Sequence, residues 1–405
     1  MTEILVHEID HKGFGIGATQ SPPLPTVLPG ELVEIETEAG RLIRQRIVRP
    51  SPDRVKPPCR HFKSCGGCMM QHASDDFVAR WKTGIIRNGL AARGLSTEIR
   101  PIVTSPPNSR RRATLHGRRT KSGALVGLHA RASELMLAIP DCKLLDPALL
   151  AVLPMLERIV TLGGSRKGEL DLAVTVTDSG LDLAVSGAKQ LEPGQIEAVT
   201  ALAAETFARL TWNGELLSQS HPPLLRFGTA TVPLPPGAFL QATREGEASL
   251  LQAVREITDG AGRIADIFAG IGTFALPLAA RAEVHAVEGD AAMVQALDQG
   301  WRSATGLHRV TTETRDLFRR PLLPDELERF DAVVIDPPRA GSEAQVRELA
   351  QSGVPVIAAV SCNPVSFARD MQILVQGGYR LDWVQPVDQF RWSPHVELAA
   401  RLTRP

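Results

Sequence analysis

The stretch that most constrains this chain is residues 264–290, IADIFAGIGTFALPLAARAEVHAVEGD. A short apolar run ends in Asp266, a turn holds Gly270 and Gly272, and residues 274–280 can continue as a helix. Residues 284–287 then run up to Glu288. That succession predicts strand, glycine turn, helix and strand, with a carboxylate at the tip of the second strand. The glycines let the backbone approach a ligand with no Cβ in the way. Glu288 follows Asp266 by 22 residues, near the ~20-residue offset at which an acidic side chain takes ribose hydroxyls. The turn lacks the third glycine of a dinucleotide site. That favours a nucleoside ligand without phosphates over a pyrophosphate. S-adenosylmethionine is such a ligand.

With 405 residues the chain has room for two or three domains. Lys plus Arg and Asp plus Glu balance at 45 each, so net charge names no partner. Five cysteines, an odd number, speak against a disulfide framework and for a reducing compartment. The start MTEI shows no secretory n-region or h-region, and no apolar run approaches the ~20 residues of a membrane span. A cytoplasmic protein without a membrane partner is expected.

Residues 1–53 alternate in short runs (4–6, 13–17, 30–36, 41–44) between turn signals. They predict a five-stranded barrel of the oligonucleotide-binding kind. Residues 54–92 follow with Cys59, Cys65 and Cys68. Their sulfurs can converge on one centre, with Cys142 as a fourth ligand. Four thiolates suit zinc or an iron–sulfur cluster. One C-x2-C pair with two single cysteines, rather than two pairs, tilts the expectation to [4Fe–4S]. His61 and His72 are expected to be solvated.

Ser74 caps a predicted helix whose apolar face is Phe77, Trp81, Ile85 and Leu90, with Arg80, Lys82 and Arg87 elsewhere. Residues 93–222 are expected to form a central mixed α/β domain. From Arg100 to Arg131 it carries eight Lys/Arg and no acidic residue, densest at Arg110-Arg111-Arg112 and Arg118-Arg119-Thr120-Lys121. Basic residues alternating along strands predict a phosphate-tracking surface. Residues 170–176 and 180–185 should pair as a hairpin, 191–210 should be helical, and the proline-rich 221–237 should be a connector.

The last domain, 223–405, carries three more strand tips with chemistry. Asp316 follows one and could accept from an adenine amino group. Asp336 ends the buried run 330–335 and precedes two prolines. Cys362 ends the buried run 354–361, and Pro364 opens a helix at once. A thiol ahead of a helix N-terminus sits in a positive field that favours thiolate, which marks Cys362 as a nucleophile.

Asp336-Pro-Pro-Arg, Ser361-Cys-Asn-Pro, His395-Val-Glu397 and Phe239-Leu-Gln241 together resemble the RNA uracil-C5 methyltransferase family. Its iron–sulfur ligands are similar to Cys59, Cys65, Cys68 and Cys142, and its TRAM module resembles the N-terminal barrel. The resemblance implies an α/β protein with a C-terminal Rossmann-like class I methyltransferase domain. Cys362 would be the nucleophile and Glu397 the base. Gln241, Phe268, Gly270, Thr273, Glu288, Asp316 and Asp336 would line the S-adenosylmethionine site. The substrate would be a uridine in structured RNA, 23S ribosomal rather than transfer RNA, acted on by a monomer. Ala269 and Thr243 depart from residues frequent in the family, a cysteine and an asparagine, and Arg391-Trp-Ser departs from its usual run. Two rival readings are a methyltransferase acting on a nucleic-acid amino group, and an RNA-binding protein without catalysis.

Overall fold

A computed structural model of the chain describes residues 2–17 and 21–404. The C-terminal part is built on a nine-stranded sheet. Its parallel strands run in the order Val310–Thr314, Glu283–Glu288, Arg263–Ile267, Ala332–Ile335, Val356–Ser361. Glu397–Thr403 comes next, antiparallel to both neighbours, and then Arg380–Asp388. Chain order reverses direction beside Arg263–Ile267, and ligands of open α/β sheets bind outside the carboxyl ends of strands at such a point. Both faces are covered, as buried parallel strands require. Along Arg263–Ile267, Ile264 enters one core cluster while Ala265 and Ile267 enter the other.

The helix Arg244–Ile257 shows why one departure from the family pattern is tolerated. Thr243 caps it, accepting from the Gly246 N–H at 3.0 Å and contacting the Ser105 hydroxyl at 2.7 Å. A threonine serves there nearly as well as an asparagine. Leu250, Ala253, Val254 and Ile257 form its buried stripe, the helical period that the sequence displays.

Several expectations are corrected. Among the described residues the N-terminal strands form two three-stranded antiparallel sheets that share one core of Ile4, Val6, Leu24, Val27, Val33 and Ile35. The strands Glu8–Ile9, Phe14–Ile16 and Leu24–Pro25 have only two or three residues each. The helix expected over 191–210 ends at Ala204, and Phe207–Trp212 is a strand buried on both faces. The connector 221–237 contains a hairpin, Leu224–Phe227 with Ala230–Pro233. Glu98–Ile99 and Val103–Thr104, counted by sequence with the central domain, add to the edge of the C-terminal sheet beside Arg380–Asp388. The hairpin over 170–185 is as expected, with Val176 opposite Leu181.

The helix Asp75–Ala91 starts at Ser74, whose hydroxyl accepts from the Phe77 N–H. Its buried stripe is Val78, Lys82, Ile86 and Leu90, which shares Leu90 with the stripe read in the sequence and lies one position on from it elsewhere. Ile86 and Leu90 join the C-terminal core, while Phe77 and Trp81 pack toward the N-terminal module. The helix is therefore apolar on two adjacent stripes, and a lysine occupies the deeper one.

Candidate active site

Antiparallel register brings the two proposed reacting groups together. Ser361 is opposite Leu398, so one step further puts Cys362 across from Glu397. Val387 lies on the other side of Glu397. Asp336 leaves the neighbouring strand, where Ile335 is level with Ala359. Asn363 caps the helix Pro364–Gln376 by accepting from the Val365 N–H, and its amide donates to the Arg339 carbonyl at 2.9 Å. The Cys362 turn and the Asp336-Pro-Pro-Arg339 turn are thereby locked to each other.

The electrostatics correct the expected thiolate. Burial, then the Glu397 and Asp336 carboxyls, push the Cys362 thiol up to about 12, against a smaller pull from Arg339. The field of a helix end is worth at most about 2 kcal/mol, too little to offset desolvation and two carboxyls. Burial and both carboxyls thus work against the thiolate. Burial and Asp336 raise Glu397, 2% exposed, to about 8, and the Gln389 amide works against that rise. Burial raises Asp336 to about 7. Both carboxyls are thus shifted toward neutrality, the range in which general acid–base groups work best.

The glycine turn behaves as the sequence predicts. Phe268, Gly270 and Gly272 have positive φ of 65°, 56° and 94°. A Cβ on Gly272 would come within 2.9 Å of Leu276 and Leu297, so only glycine fits there. Glu288 accepts from the Gly270 N–H at 3.0 Å and from Gly289 and Asp290, which holds its carboxylate at the strand tip. Phe268 rests against Phe318 with ring centroids 5.4 Å apart. Ala269 is buried, and Thr273 is half-buried in the same turn. Asp316 is exposed and accepts from the Phe318 and Arg319 N–H groups. Gln241, 3% exposed, lies on the opposite side. Its side-chain oxygen accepts from the Gln389 amide at 2.5 Å.

Sequence reasoning gave no site role to three residues here. Asp266 is fully buried, and neither carboxylate oxygen has a hydrogen-bond partner; the Ala275 amide approaches without meeting hydrogen-bond geometry. Burial, Asp336 and Glu288 raise it to about 8. An unpartnered carboxyl beneath the glycine turn suits a polar ligand group. Gln389 joins Gln241, the Ala242 N–H (2.9 Å) and Glu397. Lys82, fully buried, sits behind the loop that leads into Glu397. Asp266 was legible as a strand end, whereas no local pattern marks Gln389 or Lys82.

Cys59, Cys65, Cys68 and Cys142 line one cavity of about 160 Å³ with Leu128, Ile139 and Leu144. All four are free thiols. Burial, opposed by Gln71, pushes Cys68 up to about 12. His61 contacts Asp141 at 2.7 Å. His72 is buried rather than solvated, and desolvation lowers it to about 4.

The basic stripe is also revised. Arg111 is 2% exposed, pairs with Glu247 at 2.5 Å and donates to the Gln241 carbonyl. Arg100 pairs with Glu256, and Arg118 lies 3.6 Å from Glu169. The acids come from distant positions in sequence, so local composition did not show them. Arg112, Arg119 and Lys121 make no ion pair among the described residues. Arg111→Ala should therefore cost about 3–5 kcal/mol of stability, the effect of stranding a buried charge. Lys121→Ala should leave the melting temperature nearly unchanged. Thermal melts of the two variants check this.

On the same sheet, His116, His129 and Glu169 approach within 4.8 Å of one another. The two rings are stacked 3.9 Å apart at 8°, so their in-plane lone pairs run parallel instead of converging. His116 meets Asp171 and His129 meets Glu169, each at 2.8 Å. These are imidazole–carboxylate contacts, and the ring geometry is unsuited to a shared ion.

Comparison with known proteins agrees with this geometry. Residues 234–405 match the family described as tRNA (Uracil-5-)-methyltransferase. An uncharacterized RNA methyltransferase of Brucella suis biovar 1 is 44% identical, over 99% of this chain and 98% of its own. The 23S rRNA (uracil(1939)-C(5))-methyltransferase RlmD of Chromohalobacter salexigens is 32% identical, over 98% of this chain and 88% of its own. The crystal structure of Pyrococcus abyssi tRNA (uracil-54, C5)-methyltransferase with S-adenosyl-L-homocysteine superposes with a TM-score of 0.77. It covers 99% of each chain at 22% identity, a likeness of fold.

Proposed function

This chain belongs to the RNA uracil-C5 methyltransferase family, and from that premise we propose that it methylates carbon 5 of one uridine in 23S ribosomal RNA through Cys362 and Glu397. Methyl transfer from S-adenosylmethionine to uracil carbon 5 is the family's reaction. The observation that carries the residue assignment is the placement of Cys362 opposite Glu397, with Asp336 beside them. The ribosomal substrate is supported by the name of the full-length relative RlmD.

Carbon 5 of uracil is too weak a nucleophile to take a methyl group unaided. Addition of the Cys362 thiolate to carbon 6 makes carbon 5 an enolate carbon. That carbon attacks the sulfonium methyl, and S-adenosylhomocysteine departs. Glu397 carboxylate then removes the carbon 5 proton, the C5–H electrons form the C5=C6 bond, and the sulfur leaves carbon 6 as thiolate. With the thiol pushed up to about 12, its proton must pass to a neighbouring base before attack. Arg339, which lowers both Cys362 and Glu397, is the cation beside these groups. The uridine must be unstacked to reach this recess.

Gln241, Phe268, Gly270, Thr273, Glu288, Asp316 and Asp336 form the cofactor site in this reading. Glu288 takes the ribose hydroxyls, and the buried Asp266, mainly protonated near neutrality, lies beneath the turn. Cys59, Cys65, Cys68 and Cys142 fit a [4Fe–4S] cluster better than a zinc ion. Zinc at ~2.3 Å from each sulfur would hold the sulfurs about 3.8 Å apart. No three of these thiols gather within 4.8 Å among the described residues, and a cavity lies between them. Such a cluster would pin the loop 59–68 to Cys142, with all four ligands supplied by the protein.

RNA carrying tritium at uracil C5 tests the reaction class. Each methyl transferred from the cofactor should release one tritium to water, and mapping should place the methyl group in 23S RNA. Methylation with tritium retained would show an amino-group methyltransferase. RNA binding without either signal would show a non-catalytic binder.

A further inference from the structure

The loop between Arg380–Asp388 and Glu397–Thr403 lies outside the ladder that pairs those strands. It carries Gln389, and it leads straight into Glu397, the first residue of the second strand, which pairs with Val387. Lys82 holds it from behind. The Lys82 Nζ lies 2.6 Å from Asp388 Oδ1, and donates to the His395 carbonyl at 2.8 Å and the Phe390 carbonyl at 3.2 Å. An ammonium has three protons, and these contacts use all three. Both ion-pair partners are essentially unexposed, at 0% and 1%. One side chain from a distant helix thus fastens the loop at its start, near its start and at its end, two residues before Glu397.

Burying a lysine is expensive, and an ordinary apolar residue would fill the stripe of Val78, Ile86 and Leu90. No apolar residue could hold two loop carbonyls and a carboxylate. Resting on the role proposed for Glu397, we infer that Lys82 is a positioning residue for the proton-abstraction step, and not for methyl transfer. The separation follows from the fold. Cys362 and Asp336 leave the tips of strands paired in parallel with each other, with Ile335 level with Ala359, and Lys82 contacts neither of their turns. Glu397 opens its strand at the exit of the loop, two residues after the His395 carbonyl that Lys82 holds. Loosening the loop leaves attack and methyl transfer in place and misplaces the carboxylate that must take the carbon 5 proton. The C5–H bond then persists, the C5=C6 bond is not restored, and the sulfur–C6 bond is retained.

The test uses full-length Lys82→Met, the double variant Lys82→Met/Asp388→Leu, and Glu397→Gln as reference. Removing both charges of a buried pair is commonly tolerated where removing one is not. The double variant therefore tests the carbonyl contacts even where the single variant misfolds. With tritiated RNA and labelled cofactor in a single turnover, methyl incorporation should stay within about threefold of the unsubstituted protein. Tritium release should slow by about tenfold or more, and a covalent protein–RNA band should build up on a denaturing gel. A folded double variant in which methyl transfer and tritium release fall together, with no band, would overturn the inference. If Glu397→Gln traps no adduct while Lys82→Met does, the base has been misassigned, and the inference falls with it. Loss of all methylation in Cys362→Ser-like fashion, with a normal melting temperature, would also overturn it.

Discussion

Glu397→Gln should leave the protein covalently joined to its methylated RNA, while Cys362→Ala binds RNA and cofactor and never forms that bond. Both variants should lose turnover by about 10³-fold or more, the usual scale for an essential base or nucleophile. They stop at different steps, so a denaturing gel with labelled RNA separates them. The electrostatics add a sign. Glu397 is one of the groups that push the Cys362 thiol up. Making it neutral should bring the thiol down and let the adduct form at least as fast as before. Since the thiol titrates far above neutrality, adduct formation should rise with pH across 7–9, close to tenfold per unit, because the thiolate fraction does. Normal turnover by Glu397→Gln would move the base to another group. His395, held below its ordinary value by burial and by Arg339 and therefore available as a neutral imidazole, and Asp336 are the next candidates.

Removing the proposed metal centre should have the second large effect. Anaerobically purified protein should contain about four irons with matching sulfide. Cys68→Ser should lose them and melt roughly 10 °C lower, since ligands bound only by the folded state contribute directly to its stability. Activity should fall as well, for a reason visible in the packing. Trp392 belongs to the same small core as Phe62, Cys59 and Cys68, and its carbonyl accepts from the Met69 and Met70 N–H groups at 2.8 and 3.0 Å. The loop that leads into Glu397 is therefore tied to the cysteine loop. Stoichiometric zinc without sulfide in anaerobic protein would overturn the cluster assignment, and an unchanged melting temperature in Cys68→Ser would remove its structural role.

Much of the site is written locally. The turn after Asp266 demands glycines at particular backbone angles, and Glu288 is one strand length away from it. Ser74 and Thr243 mark helix starts by their own hydrogen bonds. Short runs misled where partners decide the conformation. Phe207–Trp212 reads as a helix extension, yet pairing with Leu181–Ser186 makes it a strand. Glu98–Ile99 and Val103–Thr104 are two-residue strands that exist only because Arg380–Asp388 offers an edge.

What the sequence by itself determined is the inventory of reacting groups and the elements that carry them: strand tips ending in Asp266, Glu288, Asp336 and Cys362, and four cysteines able to meet. These follow from period, turn chemistry and residue type, which act over a few residues. Only the tertiary structure decided their charges and their company. It placed the Glu397 and Asp336 carboxyls beside Cys362, and with burial they push the thiol predicted to be ionised up to about 12. It paired Arg111 with Glu247, which removed that arginine from the basic surface. It buried Lys82 behind the Glu397 loop, more than three hundred residues away along the chain. Burial and charge–charge distance set these outcomes, and both depend on which segments the fold makes neighbours.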